Sequence, residues 1–166
     1  SPRRLETNLS DVIFNRKTER NFSEDPIDSR TVGDLLFWSV GPIHKSEQDS
    51  ESMCRRPYPS GGGLYPSETY VAVFRGGDIG NGVYHYNFRD HVLEKLFWIS
   101  EEKIKNVLTY KFSKDAAGLI MLSFVRERMF SKYGNFSYKL GLLEGGHIGQ
   151  NFYLVGTALG LGVLAL

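Results

Sequence analysis

The sequence predicts one globular domain that combines α-helices with β-strands. Its 166 residues are enough for a single domain with a substantial core. Apolar residues make up 41% and aromatic residues 13%, which is the composition of a folded chain and not of a disordered one. Helical and strand patterns both occur, with no internal repeat and no low-complexity linker between them. We therefore expect a mixed fold without a domain boundary.

The charge balance and cysteine content exclude several classes of partner. Lys and Arg number 20 against 19 for Asp and Glu, which provides no general attraction to nucleic acid or to an anionic membrane. No apolar run approaches the roughly 20 residues of a membrane span. Cys54 is the only cysteine, so an intrachain disulfide is impossible. This fits a reducing compartment, and we expect a cytoplasmic protein with neither nucleic-acid nor membrane partners.

The first fifty residues predict two helices and a loop. Residues 9–20 have the pattern of a short helix, and residues 28–40 that of a second one. Asp28 is a suitable N-cap, because its side chain can accept a hydrogen bond from an amide of the first turn. Apolar side chains follow at helical spacing, at Val32, Leu35, Leu36 and Val40. The polar segment 44–53 predicts a solvated loop, with a lid as the alternative.

The middle of the chain predicts strands. Residues 69–74 have strand composition. Residues 82–87 and 92–98 predict a hairpin that turns at residues 88–91. The continuous apolar run 119–125 is typical of a buried central strand.

Two further helices and a final strand complete the prediction. Residues 100–110 predict a helix with Ser100 as its N-cap and acidic residues in its first turn. Residues 136–161 predict one long helix, and residues 163–166 the start of another strand.

The segment 55–68, with the sequence RRPYPSGGGLYPSE, is the most distinctive part of the chain. Glycine allows backbone N–H groups to approach a ligand closely, and proline fixes the path on either side. Arg55 and Arg56 beside such a turn suit a phosphate group or an electron-rich ring. A plain surface turn is the alternative, but the arginines, Ser60 and the strand that follows favour a binding loop.

The long helix carries glycines that need an explanation. Gly141, Gly145 and Gly149 recur every four residues, and Gly146 and Gly156 lie in the same helix. Each glycine inside a helix costs about 1 kcal/mol relative to alanine, so close approach of another helix is the expected compensation. Polar side chains exclude a bilayer setting, namely those of Lys139, Glu144, His147, Gln150 and Asn151. A subunit interface and a buried intrachain position are both compatible with this pattern.

Five motifs in series resemble one known family. They are residues 16–22, 56–66, 82–86, 143–151 and 158–162, the first being similar to an R-x-S-x-R-x-F element. In this order they resemble the SagB-type azoline dehydrogenases, the FMN-dependent branch of the nitroreductase superfamily. The resemblance runs from Arg16 to Leu166.

The resemblance implies an α+β fold of the nitroreductase type. In this fold a mostly antiparallel central sheet is flanked by helices, and two chains form an intertwined homodimer around the long helix. FMN would lie at the dimer interface and contact both subunits. Residues 1–166 would form a single FMN-binding domain, and we expect its C-terminal portion to be missing from this sequence.

The resemblance also implies the cofactor-binding residues. Arg16 and Arg20 would hold the flavin phosphate, with Thr18 in the usual serine position. The loop would lie against the isoalloxazine ring through Pro59, Ser60, Gly61 and Gly62. Gln150 would lie near the cofactor, whereas His147 is more typical of a structural residue. Because no second ligand lies at metal spacing beside His147, we expect no metal.

A Lys-Tyr dipeptide before the long helix is a further part of the resemblance, and it corresponds to Lys132 and Tyr133. Aromatising an azoline ring removes one proton, which needs a base within hydrogen-bond reach. A lysine partly desolvated beside an aromatic cofactor is a reasonable base, and the tyrosine could share its role. The alternative is that Lys132 is an ordinary surface charge and Tyr133 a packing residue.

The function implied is an FMN-dependent oxidoreductase that converts azoline rings to azoles in a ribosomally synthesised peptide. A hydride would pass to flavin N5 and a proton to the Lys/Tyr base. The expected partners are a second copy of the chain, the peptide and a cyclodehydratase that makes the azolines. Two alternatives remain open, an NAD(P)H-dependent nitro or quinone reductase and a non-catalytic flavin-binding scaffold subunit.

Overall fold

The computed structural model describes residues 1–43, 54–98, 100, 102–103, 113 and 115–166. It confirms an α+β fold in which helices flank an antiparallel sheet. The helices are α1 (Leu9–Asn15), α2 (Ser29–Val40), α3 (Glu127–Tyr133) and α4 (Phe136–Ala158). The strands are β1 (Ser67–Val73), β2 (Gly82–Asn87), β3 (Val92–Phe97) and β4 (Gly118–Phe124). In this part of the chain no helix is both long and apolar enough to cross a bilayer.

The sheet has the order β3-β2-β1-β4, and every neighbouring pair is antiparallel. In the middle of the sheet Val71 lies opposite Tyr84 on one side and Ile120 on the other. The predicted hairpin is confirmed, with β2 and β3 joined through residues 88–91. His91 takes a positive φ of 54° at the end of this turn.

Strand β4 corrects the prediction of a buried central strand at 119–125. Among the described strands it is an edge strand, and its residues range from partly buried to exposed. Leu122 is 38% exposed. The apolar run correctly indicated a strand, but it could not indicate how much of that strand the same chain covers.

The core lies where α2 and α4 pack against the sheet. Asp28 caps α2 as predicted, because its carboxylate accepts a hydrogen bond from the Thr31 amide at 2.6 Å. Val40 of α2 and Ile148 of α4 are completely buried. The apolar stripe that defined α2 in the sequence lies in this core, together with side chains of β1 and β2.

Two predicted helix ends and one predicted strand are wrong. Helix α1 ends at Asn15 and not at residue 20, since Arg16 has an extended ψ of 121°. The chain then runs to Glu19, whose amide donates to the Val163 carbonyl at 3.0 Å. Residues 163–166, which were predicted to begin a strand, make this contact through Val163 but have no strand structure. Helix α4 ends at Ala158, just before the left-handed Gly160 with φ 73°.

Two other predictions fall largely outside the described residues. These are the loop 44–53 and most of the helix 100–110. Ser100 Oγ does accept a hydrogen bond from the Lys103 amide at 3.4 Å, as an N-cap does.

The glycines of α4 divide into two groups. A Cβ added to Gly141 would lie 2.6 Å from the Phe124 ring, and one added to Gly156 would lie 2.4 Å from a methyl group of Val163. These two glycines permit close contacts within the chain. Gly145, Gly146 and Gly149 instead face open space. For these three, the subunit-interface interpretation stays a prediction.

Candidate functional site

The triple-glycine segment forms a tight turn that Ser60 closes. The Gly63 amide donates to the Ser60 carbonyl at 3.0 Å, and the Tyr65 amide donates to Ser60 Oγ at 2.9 Å. Gly62 and Gly63 have φ values of 65° and 67°, in the left-handed region that favours glycine. Tyr65 is also left-handed, with φ 44°. We call residues 60–65 the glycine turn.

The glycine turn contacts the Lys-Tyr dipeptide at the end of α3. A Cβ added to Gly62 would lie 2.6 Å from Tyr133 Oη and 3.0 Å from Lys132 Nζ. Lys132 is exposed and Tyr133 is partly buried. Lys132 Nζ also lies 5.4 Å from the centre of the Tyr133 ring. The side-chain nitrogen of Lys132 and the hydroxyl of Tyr133 therefore both lie against the backbone of Gly62.

The other side of the turn packs against the helices. A Cβ added to Gly61 would lie 2.7 Å from Met129 Cε and 3.0 Å from Leu140 Cδ1. Met129 is completely buried in α3. A side chain at Gly61 would therefore displace Met129 and Leu140, whereas one at Gly62 would displace Tyr133 and Lys132.

Arg56 corrects the expectation that the arginines before the turn face a ligand. Its side chain is buried, and Nη1 donates to Tyr58 Oη at 3.0 Å and to the Ser67 carbonyl at 3.3 Å. The electron-rich ring that it contacts is that of Phe88, 3.7 Å from the guanidinium carbon. Burial raises the pKa of Tyr58 to about 12, against the opposing effect of the Arg56 charge. Arg56 therefore supports the turn from inside the protein.

Two polar residues of α4 hold the backbone on either side of the glycine turn. The Glu144 carboxylate is buried and accepts a hydrogen bond from the Ser67 amide at 3.2 Å. Asn151 Nδ2 donates to the Ser39 carbonyl at 3.1 Å and to the Pro57 carbonyl at 2.9 Å. In the sequence, both residues counted only as parts of a motif and as polar side chains that exclude a bilayer. Their spacing of seven places them on one helix face that is otherwise buried and apolar, and this was the available signal.

A second group of predicted residues surrounds Tyr153 of α4. The Arg16 guanidinium carbon lies 5.4 Å from the centre of the Tyr153 ring, and Thr18 Oγ1 lies 3.3 Å from Tyr153 Oη. The Ala165 amide donates to the same hydroxyl at 2.9 Å. Arg20, the third residue predicted for the phosphate, is exposed, and no contact with Tyr153 is found for it. Three segments distant in sequence thus meet at Tyr153, which the sequence did not identify.

The two groups of predicted residues are separated within one chain. Leu140 beneath the glycine turn and Tyr153 lie thirteen residues apart in α4, which is about 20 Å along the helix axis. Gln150 and His147 are exposed on the same helix. Within the described residues, no group of three or more His, Cys, Asp or Glu side chains could hold a metal ion.

Residues 13–166 match the family model described as the Nitroreductase family. The chain therefore belongs to the nitroreductase family.

Two relatives and one solved structure are informative. The candidate nitroreductase MJ1384 of Methanocaldococcus jannaschii is 28% identical over 163 residues, covering 97% of this chain and 79% of that protein. The microcin B17-processing protein McbC of Escherichia coli is 29% identical over 164 residues, covering 90% of this chain and 60% of McbC. The E. coli microcin synthetase McbBCD complex with truncated pro-MccB17 bound gives a TM-score of 0.70 at 25% identity. That match covers 96% of this chain and 62% of the matched chain of the complex. This sequence therefore spans less than two thirds of McbC and of the matched chain.

Proposed function

We propose that this protein is an FMN-dependent oxidoreductase that oxidises azoline rings to azoles in a ribosomally synthesised peptide. The observation that carries the proposal is the contact of Gly62 with both Lys132 and Tyr133. It joins the two motifs that distinguish the azoline dehydrogenase branch in the sequence. The nitroreductase family supplies the oxidoreductase class, and the similarity to McbC supports a peptide as substrate.

The residues present fit FMN. A Cβ added to Gly63, the next residue of the turn, would meet nothing within 4 Å, so a flat ring could approach the backbone there. Arg16 and Thr18 offer a cation and a hydroxyl for the phosphate. When bound, FMN would supply a two-electron acceptor at the turn.

The separation of the two groups supports a homodimer. The chain that links a flavin ring to its phosphate has about seven bonds, or roughly 8 Å when extended. The distance along α4 between Leu140 and Tyr153 is about 20 Å, so one FMN could reach both groups of a single chain only with its ring and its linker extended in line. In a homodimer, one FMN would contact the glycine turn of one subunit and the Arg16 group of the other. The open face at Gly145, Gly146 and Gly149 is a suitable place for the two long helices to meet.

The chemistry assigned to the side chains is proton transfer. Converting an azoline to an azole removes two hydrogens from the ring, one as a hydride and one as a proton. Lys132 Nζ as a neutral amine, or Tyr133 Oη as a phenolate, could accept this proton at the turn. Since the dipeptide ends α3 and the turn is held by α4, the position of the base depends on packed helices and not on a free loop.

A cyclodehydratase is the partner that this reaction requires, because it makes the azoline from Cys, Ser or Thr. The similarity to a chain of the McbBCD complex supports such an assembly. The competing function is a reductase of nitroaromatics or quinones. The similarity to the candidate nitroreductase MJ1384 over 97% of this chain favours it.

The experiment measures both activities on one preparation. Purified protein is reconstituted with FMN and given an azoline-containing peptide, and mass spectrometry follows the loss of two mass units. We expect this loss for the native protein, and we expect Lys132→Ala and Tyr133→Phe to abolish it while FMN stays bound. Rapid bleaching of the flavin by NADH or NADPH, with an unchanged peptide mass, would instead establish the reductase. FMN binding with neither activity would leave only the flavin-binding scaffold function.

A further inference from the structure

Arg128 connects α3 to the exit of the glycine turn. Its Nη1 donates to the Tyr65 carbonyl at 3.2 Å, and its Nη2 pairs with Glu68 Oε1. Arg128 lies one helical turn before Lys132, so the two side chains share a face of α3. The same guanidinium group therefore links the helix that carries the dipeptide to the segment that carries the glycines.

Tyr65 is the residue of the turn that most needs external support. A left-handed backbone costs a side-chain-bearing residue about 1–2 kcal/mol. Its amide is held by Ser60 Oγ from within the turn, and its carbonyl is held by Arg128 from outside. Arg128 thus connects the strained Tyr65 to the helix that carries Lys132 and Tyr133.

A line of charged groups across three strands orients Arg128. Glu68 of β1 accepts from Arg128 with one oxygen and lies 3.0 Å from His85 Nε2 with the other. His85 of β2 lies 3.0 Å from Glu94 of β3 through Nδ1. The signs alternate along Glu94, His85, Glu68 and Arg128 when His85 is protonated. Glu68 is fixed on both sides, so the guanidinium group has one favourable orientation.

The pKa directions agree with this geometry. Burial acts to raise the pKa of Glu68, but hydrogen bonds from His85 and Arg128 outweigh it and lower that pKa. Burial acts to lower the pKa of His85, but hydrogen bonds to Glu68 and Glu94 outweigh it and raise that pKa. Both groups therefore favour their charged forms in the folded protein.

We propose that Arg128 is a positioning residue that holds the glycine turn against α3, so that Lys132 and Tyr133 keep their contact with Gly62. Glu68 and His85 orient Arg128 for this role. The positioning is a property of the chain itself, whereas its consequence for catalysis rests on the function proposed above.

An ordinary surface ion pair would behave differently. Such pairs contribute about 0–1 kcal/mol to stability and act on no particular segment. Arg128 instead divides its donors between a carboxylate and a backbone carbonyl. Its loss should therefore loosen the turn locally and leave the melting temperature of the domain almost unchanged.

The test compares Arg128→Met with Arg126→Met. Arg126 is a matched control, because it lies just before α3 but stacks on Phe130, 3.9 Å from the ring centre. Hydrogen exchange is measured at the amides of Gly63, Leu64 and Tyr65 in FMN-free protein. We expect Arg128→Met to speed this exchange about tenfold and Arg126→Met to leave it unchanged. Arg128→Lys should be intermediate, since an ammonium group lacks the fork that reaches two acceptors.

Kinetics of the FMN-loaded protein supply the second readout. We expect Arg128→Met to lower kcat about 10- to 100-fold, because a misplacement of about 1 Å can cost that much, with the KM for the peptide nearly unchanged. Unchanged exchange in both Arg128 variants would overturn the proposal. Should Arg128→Met fail to fold, Arg128→Lys and Glu68→Gln give the same comparison. Faster exchange in a protein whose native form never oxidises azolines would overturn the proposed function and leave the positioning role standing.

Discussion

Gly62 and Tyr133 lie so close that a single methyl group on the glycine would lie 2.6 Å from the tyrosine hydroxyl. The two residues belong to different elements, one to the glycine turn and the other to the end of α3. A side chain at position 62 would therefore displace Tyr133 as well as strain the left-handed backbone of the turn.

Replacing Gly62 with alanine should therefore impair the site more than replacing Gly63. Both residues are left-handed, so each substitution carries a similar backbone cost of about 1–2 kcal/mol. A Cβ on Gly63 meets nothing within 4 Å, whereas one on Gly62 displaces Tyr133 and Lys132. We expect Gly62→Ala to lower the rate of azoline oxidation at least about tenfold more than Gly63→Ala. Mass loss from the peptide measures the rate, and thermal melting measures the shared backbone cost; equal rates for the two variants would contradict the steric role.

Asn151 should contribute to stability through its two hydrogen bonds. Asn151→Leu keeps a similar volume but leaves the Ser39 and Pro57 carbonyls without their donor. An unsatisfied buried acceptor costs about 1–3 kcal/mol, so we expect a loss of about 2–3 kcal/mol in the free energy of unfolding. Urea denaturation measures the change. The neighbouring Gln150→Ala is the control, since Gln150 is exposed and should stay within about 0.5 kcal/mol of the native value.

The elements with local signals were predicted well from the sequence. Helix α2 has its cap and stripe within one segment, and the hairpin has its turn between its two strands. The end of α1 was not predictable in this way, because Glu19 leaves the helical path to bond with Val163 at the far end of the chain. The edge position of β4 likewise depends on which strands pair with it.

The site shows the same division. The structure brings Lys132 and Tyr133 to Gly62, whereas the roles that the resemblance implied for these residues stay predictions. The direction of Arg56 was wrong, since its partner Phe88 lies more than thirty residues away. Tyr153 and Arg128 were missed for a similar reason: each acts through partners from other segments, and neither stands out in its own.

His85 should make stability depend on pH. Its pKa is raised in the folded protein above the ordinary value of about 6.5, so protonation favours folding. The groups that face it are Glu68 and Glu94, with Arg128 beyond Glu68 and the Tyr70 ring alongside. The stabilisation by His85 is therefore complete below about pH 6.5 and is lost as the pH rises through the folded pKa.

The measurement compares the native protein with His85→Gln. Urea denaturation at several pH values should show the advantage of the native protein shrinking from pH 6 toward pH 9, and proton NMR should show His85 titrating above about 6.5. A titration midpoint at or below that value would contradict the prediction. Glu94→Gln should lower the midpoint, because it removes one of the two carboxylates that hold the proton.

Arg16 should recognise the phosphate of FMN and not its ring. It lies with Thr18 at Tyr153, about 20 Å along α4 from the glycine turn. A hydrogen bond to a charged group contributes about 1.5–3 kcal/mol, so Arg16→Gln should weaken FMN binding about 10- to 150-fold. Riboflavin has the same ring without the phosphate, and its affinity should be unchanged. Quenching of flavin fluorescence measures both affinities.

The neighbouring Lys17→Gln is the matched control for this experiment. Lys17 is 76% exposed and pairs with Glu19, so it should leave both affinities near their native values. An equal loss for FMN and riboflavin in Arg16→Gln would place Arg16 at the ring or in a purely structural role. No loss for either flavin would remove the Arg16 group from the cofactor site, and with it the argument that one FMN joins two subunits.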